Sequence, residues 1–536
     1  MAIFSRKILT LAAVLGVAVL AAAQQPAKHF DGESWWNTVK FLADDNLEGR
    51  ETGSEGLRKA QAYMVDQFTK AGLQPAGTDG FYQPVKFISR QIVEKDSSAA
   101  LVHDGKVQPL TLGDDAIFST RIDAAGEEIT APLVFAGYGL KIPETKYDDL
   151  AGQDLHGKII VYFAGSPADT PISLSAHYQT AGERWKALKQ AGVIGTIGIP
   201  NPASMDIPWS RISVNRTHAS MALVGDEFNE TAGMKLSMTF NPANAEKLFA
   251  ASGHKFSEIV ELGKDRKALP HFPLNISLKA HATIKTANVE SANLVAKLTG
   301  NDPALRNEYV VLSAHLDHIG IGEPINGDSI YNGAMDNAAG SSALLEIARS
   351  WNQHAEQLRR SVLFVLVTGE EKGLLGSQYF AAHPTVPAKS IVADINIDMF
   401  LPIVPLKVLK VQGLTESDLG DRAREAAKAF GIEVQADPQP LRNAFIRSDQ
   451  YSFIRHGIPA VKLDVGFEPG SPEEKTFKDW LTTRYHAPSD DLSQPVDLKT
   501  AALYEEIVRQ LLISIANKDA RPQWKADSFF RRYAGK

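Results

Sequence analysis

Apolar positions recur at helical spacing near the start of the chain: Trp35, Val39 and Leu42, then Leu57, Ala60, Tyr63, Met64 and Phe68. This pattern predicts helix over residues 35–73, interrupted by a glycine-punctuated loop at 47–56 (LEGRETGSEG). Residues 81–89 (FYQPVKFIS) read as one strand of a hairpin. From about 113 to 283 the texture changes to short strands among many turn residues, as in 131–139 (APLVFAGYG) and 157–165 (GKIIVYFAG), with a helix at 181–191 and a strand at 193–199. From 290 onward strands and helices alternate. Strands are predicted at 309–314, 362–367, 391–397, 406–411 and 460–465, and helices at 338–353, 418–430, 449–455 and 498–517. Near-continuous apolar strands between amphipathic helices predict an α/β fold whose mostly parallel sheet is covered on both faces. Ligands of such sheets bind beyond the carboxyl ends of the strands.

The first residues depart from this pattern. Arg6 and Lys7 precede a run of apolar and small residues from Ile8 to Ala23, after which the chain turns polar at Gln24-Gln25-Pro26. The run is shorter than the about 20 apolar residues of a membrane span, and it ends on Ala21-Ala22-Ala23. A signal peptide over residues 1–23 is therefore expected, cleaved after Ala23, with no stable membrane insertion afterwards. That predicts an exported protein, periplasmic or secreted. No cysteine follows the run, so no lipid anchor is expected.

Composition narrows the chemistry. The 536 residues include no cysteine, which excludes disulfides, thiolate metal sites and cysteine nucleophiles. Metal chemistry here must rest on His, Asp and Glu. The formal net charge of −7 becomes more negative once Arg6 and Lys7 leave with the signal, so nucleic acid is not an expected partner.

Candidate residues gather where the predicted strands end. The first strand runs into His315-Leu-Asp317-His318, the second into Thr368-Gly-Glu370-Glu371, and the third into Asn396-Ile-Asp398. A turn carrying Asp336 lies between the first two, and Arg484-Tyr485-His486 comes near the end of the chain. Imidazole and carboxylate suit zinc, and one carboxylate can bridge two ions about 3.5–4 Å apart. Alternate residues of a strand point the same way, so Asp317 is expected to support His315 from behind. Glu370 and Glu371 face apart, so that one can bind metal while the other handles a proton.

The order H-x-D, D, E-E, D, H at 315, 336, 370, 398 and 486 resembles the secreted di-zinc aminopeptidase family, which also holds glutamate carboxypeptidase II, glutaminyl cyclase and the transferrin receptor. The loop Gly49-Arg50-Glu-Thr-Gly53-Ser, Gly373-Leu-Leu-Gly376-Ser and Arg447-Ser-Asp449 are similar to this family too, and the likeness covers about 31–95 and 284–520. Residues 128–265 resemble a protease-associated insert through Gly137-Tyr-Gly, Asp154-Leu-His-Gly-Lys158 and Lys189-Gln-Ala-Gly-Val. The resemblance implies a three-layer α/β/α zinc-peptidase domain with a mixed, mostly parallel sheet, built from 24–112 and 284–536, and a β-rich insert at 113–283. It implies two zinc ions per chain: His315 and Asp398 on one, Glu371 and His486 on the other, Asp336 bridging. Glu370 becomes the general base and acid, Asp317 the orienting carboxylate, and the Tyr485 hydroxyl a donor to the oxyanion.

The implied activity is removal of the first residue from peptides with a free N-terminus. A carboxypeptidase or dipeptidase on the same scaffold would need basic residues for the substrate carboxylate, for which Arg442, Arg447 and Arg484 are available. A receptor-like binding protein would have lost ligands, and none is missing here.

Overall fold

The computed structural model describes residues 29–535 apart from 124, 206, 215, 217 and 354–357, so the expected signal peptide lies outside the described residues. Two large sheets organise the chain. The first has ten strands, with the central order Tyr82–Ile92, Ile284–Leu298, Ser361–Val367, Tyr309–His315, Ile391–Asn396, Ala460–Val465, Val408–Gln412. Tyr309–His315 pairs in parallel with both Ser361–Val367 and Ile391–Asn396, and Ile391–Asn396 pairs in parallel with Ala460–Val465. Antiparallel strands flank this parallel centre, so the sheet is mixed.

Burial explains why the central strands are apolar throughout. Val362, Phe364 and Leu366 join the core on one face, while Leu363, Val365 and Val367 join the core on the other. Successive side chains of a strand point to opposite faces, so a strand covered on both sides has no position left for water. Helices Glu33–Leu42, Glu55–Lys70, Ala339–Gln353, Leu419–Lys428 and Leu498–Ala516 cover the first face. Leu375–Ala382 and Gln450–Arg455 lie on the second. The result is the three-layer arrangement expected.

Several elements went unpredicted, among them helix Leu375–Ala382, strand Ile284–Leu298 and helix Pro472–Thr483. Strand Ile284–Leu298 begins with a polar stretch, paired along its length with Tyr82–Ile92. Helix Pro472–Thr483 buries only Phe477 and Trp480, and its start is set by the Ser471 hydroxyl accepting from the Glu474 amide.

The second sheet has eight strands within residues 98–281, in the order Lys106–Leu110, Ser98–His103, His271–His281, Glu128–Ala136, Ile159–Phe163, Gly195–Ile199, Leu236–Phe240, Ala116–Phe118. Residue 113, the expected start of the insert, falls after its first two strands. One piece of this segment leaves the second sheet. Ser220–Leu223 pairs antiparallel with Phe87–Arg90 at the edge of the first. Among the described residues, no helix is long and apolar enough to cross a membrane.

Candidate metal centre

Three adjacent parallel strands of the first sheet deliver their carboxyl ends to one edge. His315 is the last residue of the first, Glu370 and Glu371 follow Val367 by three and four residues, and Asp398 follows Asn396 by two. Asp336 comes from the irregular turn 334–338 that opens helix Ala339–Gln353, and His486 from the loop after helix Pro472–Thr483.

The side chains converge. His315 Nε2 lies 3.2 Å from Asp336 Oδ1 and 3.5 Å from Asp398 Oδ1. His486 Nε2 lies 3.3 Å from Asp336 Oδ2 and 3.1 Å from Glu371 Oε2. The two oxygens of Asp336 thus face two different histidines. Candidate ligand atoms of His315, Asp336 and Asp398 all lie within 4.8 Å of one another, as do those of His318, Asp336 and Glu371. His315 Nε2 and Asp398 Oδ1 are buried with no hydrogen-bond partner, a costly state for polar atoms that a cation between them would relieve. His315, Asp336 and Asp398 form one group; Asp336 and Glu371 form the other, with His318 and His486 both in reach of Glu371, and this set of imidazole and carboxylate donors fits zinc.

The electrostatics point the same way. Burial alone pushes the His486 imidazole down, but Glu371 and Asp336 outweigh it and raise it to about 10. His315 is likewise raised, with Glu370, Asp336 and Asp398 overcoming burial. The cluster stabilises positive charge. Within the adjacent glutamates the shifts diverge. Burial raises Glu370 well above its ordinary value, His315 opposing, Glu371 and Asp449 reinforcing. Burial acts on Glu371 too, yet His486 and His318 hold it well below the usual carboxylate range. A pair driven apart in this way can divide proton transfer from ligation.

The surroundings fix each group. The Asp398 Oδ2 atom accepts from Ser448 Oγ at 2.6 Å and Lys462 Nζ at 3.2 Å, which leaves Oδ1 turned to His315. Asn337 donates to the Ile397 carbonyl at 2.9 Å and accepts from the Gly340 amide, tying the Asp336 turn to the Asp398 strand. Asp490 accepts from the Met335 and Asp336 amides at 3.0 Å each, tying the same turn to the His486 loop. The buried Arg50 guanidinium donates to the carbonyls of Leu42, Leu316, Asn332 and Gly333. It thereby braces the chain on either side of the cluster.

Asp317 sits where expected but acts differently. His315 Nδ1 is 3.0 Å from the Asp317 main-chain carbonyl and 4.0 Å from its carboxylate. The carboxylate instead accepts from Thr52 Oγ1 at 2.8 Å and the Glu370 amide at 3.3 Å. The backbone thus fixes the His315 tautomer, while the side chain steadies Glu370. His318, passed over in the sequence, is fully buried and places Nδ1 2.7 Å from Glu371 Oε1. The one signal for it was its position directly after H-x-D.

Tyr485 packs on His486, ring centroids 3.9 Å apart. Burial raises its phenol well above the ordinary value, Arg447 opposing, so it remains a hydrogen-bond donor. A cleft with a volume of about 100 Å³ opens beside Asp398 and Tyr485, lined also by Lys410, Arg442, Arg447 and Lys462. Arg484 is directed elsewhere, donating to the Ser489 carbonyl.

Residues 293–512 match the model for Peptidase family M28. The chain is 26% identical over 289 residues to the probable leucine aminopeptidase 2 of Aspergillus oryzae, covering 50% of this chain and 52% of that protein. It is 22% identical over 431 residues to carboxypeptidase Q of Homo sapiens, covering 79% and 75% respectively. It thus spans about half the length of the first of these relatives. The solved aminopeptidase from Aneurinibacillus sp. strain AM-1 has a TM-score of 0.58 at 19% identity, covering 93% of this chain and 97% of that one. At that identity the likeness is one of fold.

Proposed function

Residues 293–512 belong to Peptidase family M28, and from that premise we propose that the chain is an exported zinc metallo-aminopeptidase with a two-zinc centre. The observation that carries the reading is Asp336, whose two carboxylate oxygens face His315 and His486 separately. His315 and Asp398 would hold one zinc, Glu371 and His486 the other, with Asp336 between them. When bound, zinc supplies Lewis acidity that polarises a carbonyl and lowers the pKa of water toward neutrality.

The chain's own groups do the rest. Glu370, held at a raised pKa by burial, accepts the proton of the attacking water and returns it to the departing amine nitrogen. The protonated Tyr485 phenol donates to the oxyanion. His318 donates to Glu371 Oε1, which leaves Oε2 facing His486. A free substrate amino group is drawn to the carboxylate cluster, which favours cleavage after the first residue. Residues 113–283 act as a protease-associated insert in this reading, and export follows from the signal at 1–23.

Glu370→Gln tests it. The reading expects zinc content to stay at two per chain while turnover of aminoacyl-p-nitroanilides falls about 10²–10⁴-fold. Unchanged turnover with two zinc ions bound would refute the mechanism. The basic residues lining the cleft support a second reading, a carboxypeptidase or dipeptidase. Acetylating the substrate N-terminus abolishes cleavage by an aminopeptidase, whereas amidating the C-terminus abolishes it for a carboxypeptidase.

A further inference from the structure

Helix Pro472–Thr483 ends directly before Tyr485 and His486, so its last carbonyls have no partners within the helix. Trp480 O accepts from the Arg484 and Tyr485 amides at 2.7 and 3.2 Å. Thr483 O accepts from Ser489 Oγ at 2.8 Å. Three carbonyls in between and beyond are taken by one side chain from the inserted segment. Arg211 donates from Nη1 to Tyr485 O at 2.8 Å, and from Nη2 to Leu481 O at 3.1 Å and Thr482 O at 2.6 Å. A planar guanidinium suits this grouping, since its fixed fork can serve several acceptors together and its charge complements the negative end of a helix.

The base of Arg211 is itself fastened. It sits on the short helix Trp209–Val214, where the Trp209 indole and the Ser213 hydroxyl both donate to Gly113 O, at 3.0 and 2.6 Å. A few residues later, Ser220–Leu223 joins the edge of the first sheet. The segment is thus anchored at both ends before it reaches the helix. At the other end of the contact His486 has a φ of 53°, a left-handed conformation that a non-glycine residue adopts only when its surroundings impose it.

We propose that Arg211 is a positioning residue by which the insert holds Tyr485 and His486 in the geometry of the metal centre. The insert then belongs to the catalytic site rather than standing beside it as a separate module. The consequence for zinc rests on the reading that His486 is a ligand. The clamp itself does not.

Two measurements on Arg211→Ala separate the two ideas. In metal-free protein, hydrogen exchange should accelerate at least tenfold at the amides of Arg484, Tyr485 and Ala487, while strand Tyr309–His315 keeps its protection. In zinc titrations one of the two sites should weaken about tenfold, the other staying unchanged, and kcat should fall with little change in KM. Free guanidinium at millimolar concentration should restore part of each loss, which a merely destabilised fold would not allow, and Arg211→Lys should lie between the two. Wild-type exchange in residues 484–487 together with two wild-type zinc affinities would overturn the proposal. If the wild-type chain binds a single zinc, the two-zinc reading fails, and the exchange measurement alone decides the clamp.

Discussion

Asp149 in the second sheet's segment and Asp398 at the edge of the first sheet are both buried carboxylates, and their partners differ. Asp149 Oδ2 accepts from the Tyr138 and Leu140 amides at 3.0 and 3.1 Å, and Oδ1 from the Tyr147 hydroxyl at 2.5 Å and His271 Nε2 at 2.9 Å. Both of its oxygens are used within the fold. Asp398 uses only Oδ2, and Oδ1 faces the equally unpartnered Nε2 of His315. Burial is alike in the two places. A saturated carboxylate holds a loop together, whereas one left half-satisfied in a dry pocket is prepared for something that arrives later.

The largest effect should come from the unsaturated side. Asp336→Ala removes the group shared by both halves of the cluster, and kcat/KM should fall by about 10³-fold or more. Zinc should also cease to protect the fold. Wild-type protein at 100 times the zinc Kd should gain about 2.7 kcal/mol of stability, read as a rise in Tm, and the variant should gain little. An equal rise in both would mean that Asp336 does not bridge.

Asp149→Ala makes the opposite case. It strands two backbone amides and a phenol in a buried loop and should cost about 2–4 kcal/mol in denaturant unfolding, while zinc content stays unchanged. A cost within ±0.5 kcal/mol, the range of an ordinary surface substitution, would remove the contrast.

The two kinds of site differed in how far the sequence revealed them. His315, Glu371 and Asp398 could be found because apolar strands mark their own ends, and a ligand-type residue at such an end is conspicuous. The central strands were found for the same reason. Asn337, Asp490 and Arg211 do their work through partners far away in the chain, so nothing beside them in sequence announces it. Helix Pro472–Thr483 and the first half of strand Ile284–Leu298 were missed because they are mostly polar and bury too few residues to set a period.

His177 tests the seam where the two regions meet. It lies on helix Ile172–Gln179, with Nδ1 2.9 Å from the Tyr451 hydroxyl and with Tyr533, Glu183, Arg455 and Arg532 around it. Burial lowers its pKa to about 4, Glu183 opposing. Above about pH 6.5 the ring is neutral in both the folded and unfolded chains and contributes no pH dependence. As pH falls from 6.5 toward 4 the unfolded chain takes up a proton that the folded one refuses, so stability is lost. Between pH 7 and pH 5 the metal-free wild type should lose about 2 kcal/mol more than His177→Gln, measured from urea midpoints. Equal losses would place the acid sensitivity elsewhere.

Asp317 is the smallest and most discriminating case, because it lies in the metal centre yet is satisfied like Asp149. Its oxygens accept from Thr52 and the Glu370 amide, and only its main-chain carbonyl reaches His315 Nδ1. In Asp317→Asn the amide oxygen can still accept from Glu370, and the amide nitrogen can donate to Thr52, whose hydroxyl serves equally as acceptor. The carbonyl that fixes the His315 tautomer is untouched. Zinc affinity should therefore change by less than the about 10–100-fold typical of losing a partner that orients a ligand, and the lost charge should appear chiefly as a modest fall in kcat through Glu370. If isothermal titration shows zinc binding weakened about 100-fold, the carboxylate governs His315 across the 4.0 Å gap. Saturation by hydrogen bonds would then no longer separate structural from functional carboxylates in this protein.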